Sequence, residues 1–121
     1  MRHIFCLVMM SLFFINCNSQ EEIKTISTIE LKDLLAKKEI QLLDVRSPKE
    51  IEVGFIKSAK FANYFDAHFY EKASVQLDTN KPVYLYCRSG NRSEKSAKIL
   101  KEKGYEVYNV LGGFNQWKKE N

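Results

Sequence analysis

The apolar positions fall into short blocks whose period changes along the chain. Ser27-Thr28-Ile29-Glu30 has the spacing of a helix capping box, and Leu31, Leu34 and Leu35 then form one apolar stripe up to Lys38. A short strand over Thr25–Ser27 is expected just before it. Gln41–Val45 is an apolar run ending in Asp44-Val45-Arg46, which predicts a buried strand. Ser47-Pro48-Lys49-Glu50 is a second capping box with Pro at the first helical position, so a short helix should follow and end at Gly54. Lys60–Ala62 predicts another strand, and Asp66–Leu77 a helix with Phe65, Phe69 and Ala73 on one side. Lys81-Pro82 breaks the chain before Val83-Tyr84-Leu85-Tyr86, an apolar and aromatic block that predicts a central strand. A helix over 92–103 stopped by Gly104, a strand over Glu106–Val110, and a tight Leu111-Gly112-Gly113 turn into a short helix around Trp117 complete the pattern. Strands alternate with helices, which implies an α/β fold with a mainly parallel sheet.

The first residues break this alternation. Arg2 and His3 precede Ile4 to Ile15, a run that is apolar except for Cys6 and Ser11. It is shorter than the ~20 apolar residues that span a bilayer, and it lacks the polar face of a buried amphipathic helix. A basic start followed by such a run predicts a secretory signal segment over residues 1–16. Phe14-Ile15-Asn16-Cys17 ends it. A Cys directly after the apolar region resembles the lipobox of bacterial lipoproteins, which implies lipidation of Cys17. Asn16 departs from that pattern, which usually has Gly, Ala or Ser there. Simple cleavage near Asn18–Glu21 is the alternative. Residues 17–24 are polar enough to serve as a tether, leaving 25–121 as the folded domain. The implied location is the bacterial cell envelope, periplasm or outer membrane, lipid-anchored or secreted.

Length and composition add limits. A chain of 121 residues suits one domain. The net charge of +4 is spread through Lys/Glu alternations at Lys37–Glu39, Lys49–Glu52 and Lys101–Lys103. These read as solvated helix faces, so no nucleic-acid partner is expected. A monomer is expected, with no cofactor.

Cysteine usage directs attention to one residue. Cys6 lies in the signal segment and Cys17 is the lipidation candidate, which leaves Cys87 as the free thiol of the domain. Three cysteines at these spacings make no metal motif. An unpaired thiol in an exported protein is unusual. Cys87 follows the strand Val83–Tyr86 and opens Cys87-Arg88-Ser89-Gly90-Asn91-Arg92-Ser93, after which a helix begins. Ligands of open α/β sheets bind beyond the carboxyl ends of strands. Gly90 and Asn91 tolerate left-handed backbone angles, so the loop can curl with several N–H groups pointing inward. With the following helix N-terminus these amides form an anion cradle. Arg88 and Arg92 flank it. Such a field lowers a thiol pKa and stabilises an anionic sulfur. Ser93, Ser96, Ala97 and Leu100 lie at helical spacing, and their modest size lets the helix pack close to the sheet.

Three separated motifs resemble the rhodanese family of sulfurtransferases, from about Ile26 to Trp117. They are Leu43-Asp44-Val45-Arg46 with Glu50 and Gly54, the Cys87–Ser93 loop, and Leu111-Gly112-Gly113 with Trp117. The resemblance implies a doubly wound five-stranded sheet with helices on both faces. It implies Cys87 as nucleophile, taking the outer sulfur of thiosulfate or of a persulfide donor and passing it to cyanide, a thiol or a sulfur-accepting protein. Arg88, Ser89, Gly90, Asn91, Arg92 and Ser93 are then the substrate-binding candidates. Arg92 either binds the anion or points outward and braces the loop. Asp44 and Arg46 are expected in a structural role. One segment departs from the family: the usual Gly-His-Ile-Pro-Gly-Ala is Gly54-Phe55-Ile56-Lys57-Ser58-Ala59 here.

Other readings compete. Phosphatases and arsenate reductases on this fold use a longer loop with Arg six positions after Cys, whereas Arg92 is five after Cys87. A papain-like use of Cys87 needs a nearby His, and His68 is the only one beyond the signal segment. A sulfur carrier or binding domain without thiosulfate turnover is a further alternative.

Overall fold

The structure is a computed structural model that describes residues 22–121. The expected signal segment, Cys6 and Cys17 lie outside the described residues. Five strands form one sheet: β1 (Lys24–Ile26), β2 (Gln41–Asp44), β3 (Lys60–Phe61), β4 (Val83–Tyr86) and β5 (Val107–Val110). Their order is β1-β5-β4-β2-β3, and every neighbouring pair is parallel. The sheet is thus wholly parallel, where the sequence predicts a mainly parallel one. Lys24, expected in the tether, is the first residue of β1 and pairs with Tyr108.

Parallel neighbours need crossovers, and helices supply them. They are α1 (Thr28–Lys37), α2 (Pro48–Val53), α3 (Phe69–Ser74), α4 (Asn91–Glu102) and α5 (Gly113–Glu120). Both capping boxes form. Ser27 Oγ accepts from the Glu30 N–H at 3.0 Å, and the Ser27 N–H donates back to Glu30 Oε1 at 3.0 Å. Ser47 and Glu50 repeat the exchange at 3.4 and 3.2 Å.

The two-residue period of the strands sorts side chains to two faces. Leu43, Val83, Leu85 and Val107 pack on one face with Phe69 and Ala73 of α3 and Ala97 and Leu100 of α4. Leu42, Tyr84, Tyr86 and Val110 pack on the other with Leu31 of α1 and Phe114 and Trp117 of α5. The helices therefore cover both faces.

The helix predicted over Asp66–Leu77 is shorter. Asp66 bends the chain instead, its Oδ1 accepting from the His68 N–H at 2.8 Å, a local bond that competes with helix. At the other end Gln76 Nε2 donates to Lys72 O at 3.0 Å and to Phe61 O at 2.8 Å, tying the exit of α3 to the edge strand β3.

The segment that departs from the family pattern forms a tight turn. The Ala59 N–H donates to Ile56 O at 3.1 Å, and Ser58 has φ 73°. A positive φ at the third residue is what a type II turn needs, which is why Pro-Gly suits it. Lys57-Ser58 keeps the turn by holding a serine in the left-handed region.

Candidate active site

Cys87 continues the period of Val83 and Leu85 and faces α4 just beyond the carboxyl end of β4. Gly90, at φ 116°, turns the chain and caps α4, which starts at Asn91. Asn91 itself needs no left-handed backbone. The turn brings the Gly90 N–H to 3.1 Å from Cys87 Sγ and the Ser93 hydroxyl to 3.4 Å.

Cys87 is 1 % exposed. That burial is the largest single influence on its thiol and pushes the pKa up. The Ser93 hydroxyl and the N–H groups of Ser93, Gly90 and Ser89 together outweigh it, so the thiol lies below its ordinary value. Hydrogen bonding to the charged form favours that form, and here the donors surround one atom.

The start of α5 holds the loop from behind. The Phe114 N–H donates to Cys87 O at 2.8 Å and the Asn115 N–H to Arg88 O at 3.0 Å. With the Arg88 carbonyl turned toward α5, the Ser89 N–H of the same peptide faces the sulfur. The approach is close enough to require glycine. A Cβ on Gly113, at φ 54°, would sit 2.5 Å from Cys87 O and 2.8 Å from the Arg88 carbonyl carbon.

The two arginines of the loop have different surroundings. Arg88 is exposed and makes no ion pair with the described residues. Arg92 donates from Nη1 to Glu50 Oε1 and from Nη2 to Glu50 Oε2, each at 2.8 Å, with its guanidinium 5.6 Å from the Phe65 ring centre. Arg92 thus ties α4 to α2 through Glu50. Its charge remains within electrostatic reach of Cys87. Of the substrate-binding candidates, Ser89, Gly90 and Ser93 surround the sulfur. Arg88, Asn91 and Arg92 make no hydrogen bond to it.

Asp44 and Arg46 lie on the other face. Arg46 Nε donates to Asp44 Oδ1 at 3.0 Å and Nη2 to Oδ2 at 2.7 Å, with a further bond from Nη2 to Gly54 O at 2.8 Å. Burial works against the Arg46 charge, but the Asp44 carboxylate beside it keeps the guanidinium more firmly protonated than usual. The cation lies 4.3 Å from the Phe114 ring centre. This pair braces the β2–α2 link against α5, away from the sulfur. His68 is exposed at the start of α3 and makes no hydrogen bond to Cys87. Among the described residues no cluster of His, Cys, Asp or Glu could hold a metal ion, and no helix is long and apolar enough to cross a membrane.

Two residues join the site without having been singled out for it from sequence. Glu50 reads as a capping residue, and its second role on Arg92 requires the fold. Asn109 is a buried polar residue in the apolar strand β5, and that contrast was its signal. Its Oδ1 lies 2.6 Å from Ser93 Oγ, and its Nδ2 donates to Gly90 O at 3.1 Å.

The model of the rhodanese-like domain matches residues 27–120. The chain belongs to the rhodanese-like domain family. Among curated relatives, uncharacterized protein YqhL of Bacillus subtilis (strain 168) is 40 % identical over 78 residues, covering 64 % of this chain and 60 % of that protein. The chain thus spans less than two thirds of that relative. Thiosulfate sulfurtransferase GlpE of Coxiella burnetii is 36 % identical over 96 residues, covering 78 % of this chain and 87 % of that one. A crystal structure of a rhodanese-like domain protein from Staphylococcus aureus has 32 % identity and a TM-score of 0.72, over 78 % of this chain and 91 % of that one. The rhodanese-like domain here has the five-stranded parallel sheet with helices on both faces that the fold neighbours share.

Proposed function

We propose that this rhodanese-like domain is a sulfurtransferase that carries sulfane sulfur as a persulfide on Cys87. The carrying observation is the ring of donors from Ser89, Gly90 and Ser93 about one buried sulfur whose acidity is raised. The Cys87 thiolate attacks the outer sulfur of the donor. With thiosulfate, a bond forms between Sγ and that sulfur, the sulfur–sulfur bond of thiosulfate breaks, and sulfite leaves with the bonding pair. The product, Cys87–S–S⁻, keeps one negative charge inside the amide cradle. Cyanide or a thiolate then attacks the terminal sulfur and restores the Cys87 thiolate. Two covalent half-reactions imply ping-pong kinetics.

A persulfide donor is the second reading, with the domain acting as a sulfur carrier toward a partner protein. The Arg92–Glu50 pair favours it. Arg92's charge is already balanced, so dianionic thiosulfate would find only the exposed Arg88 as an uncommitted loop cation. The spacing from Cys87 to Arg92 also speaks for a cradle sized for one sulfur rather than a tetrahedral oxyanion.

The test is the intact mass of the protein after exposure to thiosulfate, and separately to a small-molecule persulfide. A ~32 Da adduct that cyanide removes is expected for one covalently held sulfur. Its absence with both donors, or its persistence in Cys87→Ser, would reject the assignment. Envelope anchoring through Cys17 belongs to the same proposal. Cys17→Ala should move the protein from the membrane to the soluble envelope fraction, and unchanged membrane association would reject the anchor.

A further inference from the structure

We propose that Asn109 is a positioning residue that tunes the acidity of Cys87 by competing with its sulfur for the single hydroxyl hydrogen of Ser93. The inference rests on Cys87 being the reacting group, but its readout is thiol ionisation and needs no sulfur transfer.

Sheet register puts Asn109 there. It pairs with Leu85, two residues before Cys87 on the neighbouring central strand, so the two side chains share a face under the first turn of α4. Ser93 lies in that turn and is fully buried. Its oxygen is 2.6 Å from Asn109 Oδ1 and 3.4 Å from Cys87 Sγ. A serine hydroxyl has one hydrogen to donate and lone pairs with which to accept. It cannot donate to both neighbours.

The assignment of the Asn109 amide is fixed by its other end. Gly90 O accepts from Nδ2, and a carbonyl can only accept, so Oδ1 is the atom that faces Ser93. The two protonation states of Cys87 then differ in their bonds. With a neutral thiol, Ser93 donates to Asn109 and the S–H can point at the Ser93 oxygen. With a thiolate, the sulfur only accepts, and the hydroxyl must rotate toward it to stabilise the charge. Rotation leaves Asn109 Oδ1 without its donor. Asn109 therefore opposes ionisation through Ser93. Through Gly90 it acts the other way, because it anchors the residue whose N–H lies 3.1 Å from the sulfur.

The two routes separate in a double-mutant cycle read as the Cys87 pKa, taken from the pH dependence of alkylation. Asn109→Leu removes the competitor and the Gly90 anchor together. Measured with Ser93 intact and again in a Ser93→Ala background, the anchor's effect cancels and the competition remains. The shift caused by Asn109→Leu should be more negative with Ser93 intact than in the Ser93→Ala background, by about half a unit, or roughly threefold in thiolate fraction. Asn109→Asp supplies a stronger acceptor that holds the hydroxyl in both states. Its upward shift should be larger with Ser93 intact than in the Ser93→Ala background, while the through-space effect of the new charge cancels in the cycle.

Couplings of opposite sign for Leu and Asp are the expected result. Zero coupling, or the same sign for both, would overturn the proposal, because a residue that only supports the fold would not produce that reversal. If Asn109→Leu fails to give a native circular dichroism spectrum, the Asn109→Asp cycle stands alone, and zero or negative coupling there overturns the proposal. Loss of the sulfur adduct with the expected couplings intact would instead count against the proposed function.

Discussion

Arg92 and Glu50 meet fork to fork, with two parallel N–H···O bonds of 2.8 Å between guanidinium and carboxylate. Because Glu50 also closes the capping box of α2, one carboxylate joins two helix N-termini. The Arg92 guanidinium is the main reason its pKa falls to about 2. A depressed carboxylate stabilises the fold fully above its unfolded pKa, and that contribution is lost as pH falls through the folded value. The window here runs from the ordinary ~4.3 of a glutamate down to about 2. Glu50→Gln keeps a capping side chain but removes the charge. The native protein should lose more urea stability between about pH 5 and pH 3 than the variant does. Equal losses would show that the pair adds nothing; the side chains are 18 % and 29 % exposed, so solvent screens them in part.

The second ion pair is fully enclosed, and its removal has a larger expected cost. Arg46→Met would leave the Asp44 carboxylate buried without its cation. Breaking one side of such a pair costs about 3–5 kcal/mol. Chemical denaturation should show a midpoint shift of that size. Replacing both residues with apolar ones should recover part of it, since the unpaired charge is then gone.

Ser58 occupies the left-handed region, where an L-residue with a Cβ costs roughly 1–2 kcal/mol. Ser58→Gly relieves this strain while adding chain entropy to the unfolded state. A net gain of about 0.5–1 kcal/mol is expected, read as a higher melting temperature. A lower melting temperature would mean that the serine hydroxyl contributes something that outweighs the strain.

Gly113→Ala should act at the site rather than only on stability. The added Cβ would meet the Cys87 and Arg88 backbone, which has no flexible end to move aside. Such overpacking typically costs about 1–3 kcal/mol. Because the displaced atoms belong to the loop, the Cys87 alkylation profile should shift toward that of an ordinary thiol even below the melting transition. An unchanged profile would mean that α5 yields and the loop does not.

Local chemistry made much of this molecule readable before folding. Ser27 and Ser47 announced their helices because a cap is a contact between residues three apart. Val83–Tyr86 announced a central strand because both of its faces are apolar. The curl of Cys87–Ser93 was legible from Gly90 and Asn91 between a strand and a helix, although only Gly90 takes the left-handed backbone. What was not legible depends on contacts across many residues. Glu50 finds Arg92, and Asn109 finds Ser93, only after β2, β4 and β5 have taken their order. The exit of α3 is likewise fixed to Phe61 on a neighbouring element through Gln76. Arg92 shows the same limit: its carboxylate partner sits on a helix far away in sequence.

The position of β4 in the middle of the sheet has a consequence for where motion can occur. Neighbours on both sides and helices on both faces shield its amides, so they should be among the last to exchange with solvent, while the two-residue edge strand β3 can fray freely. Breathing at the rim need not disturb the proposed chemistry, since Cys87, the proposed nucleophile, hangs from the strand expected to open only with the molecule as a whole.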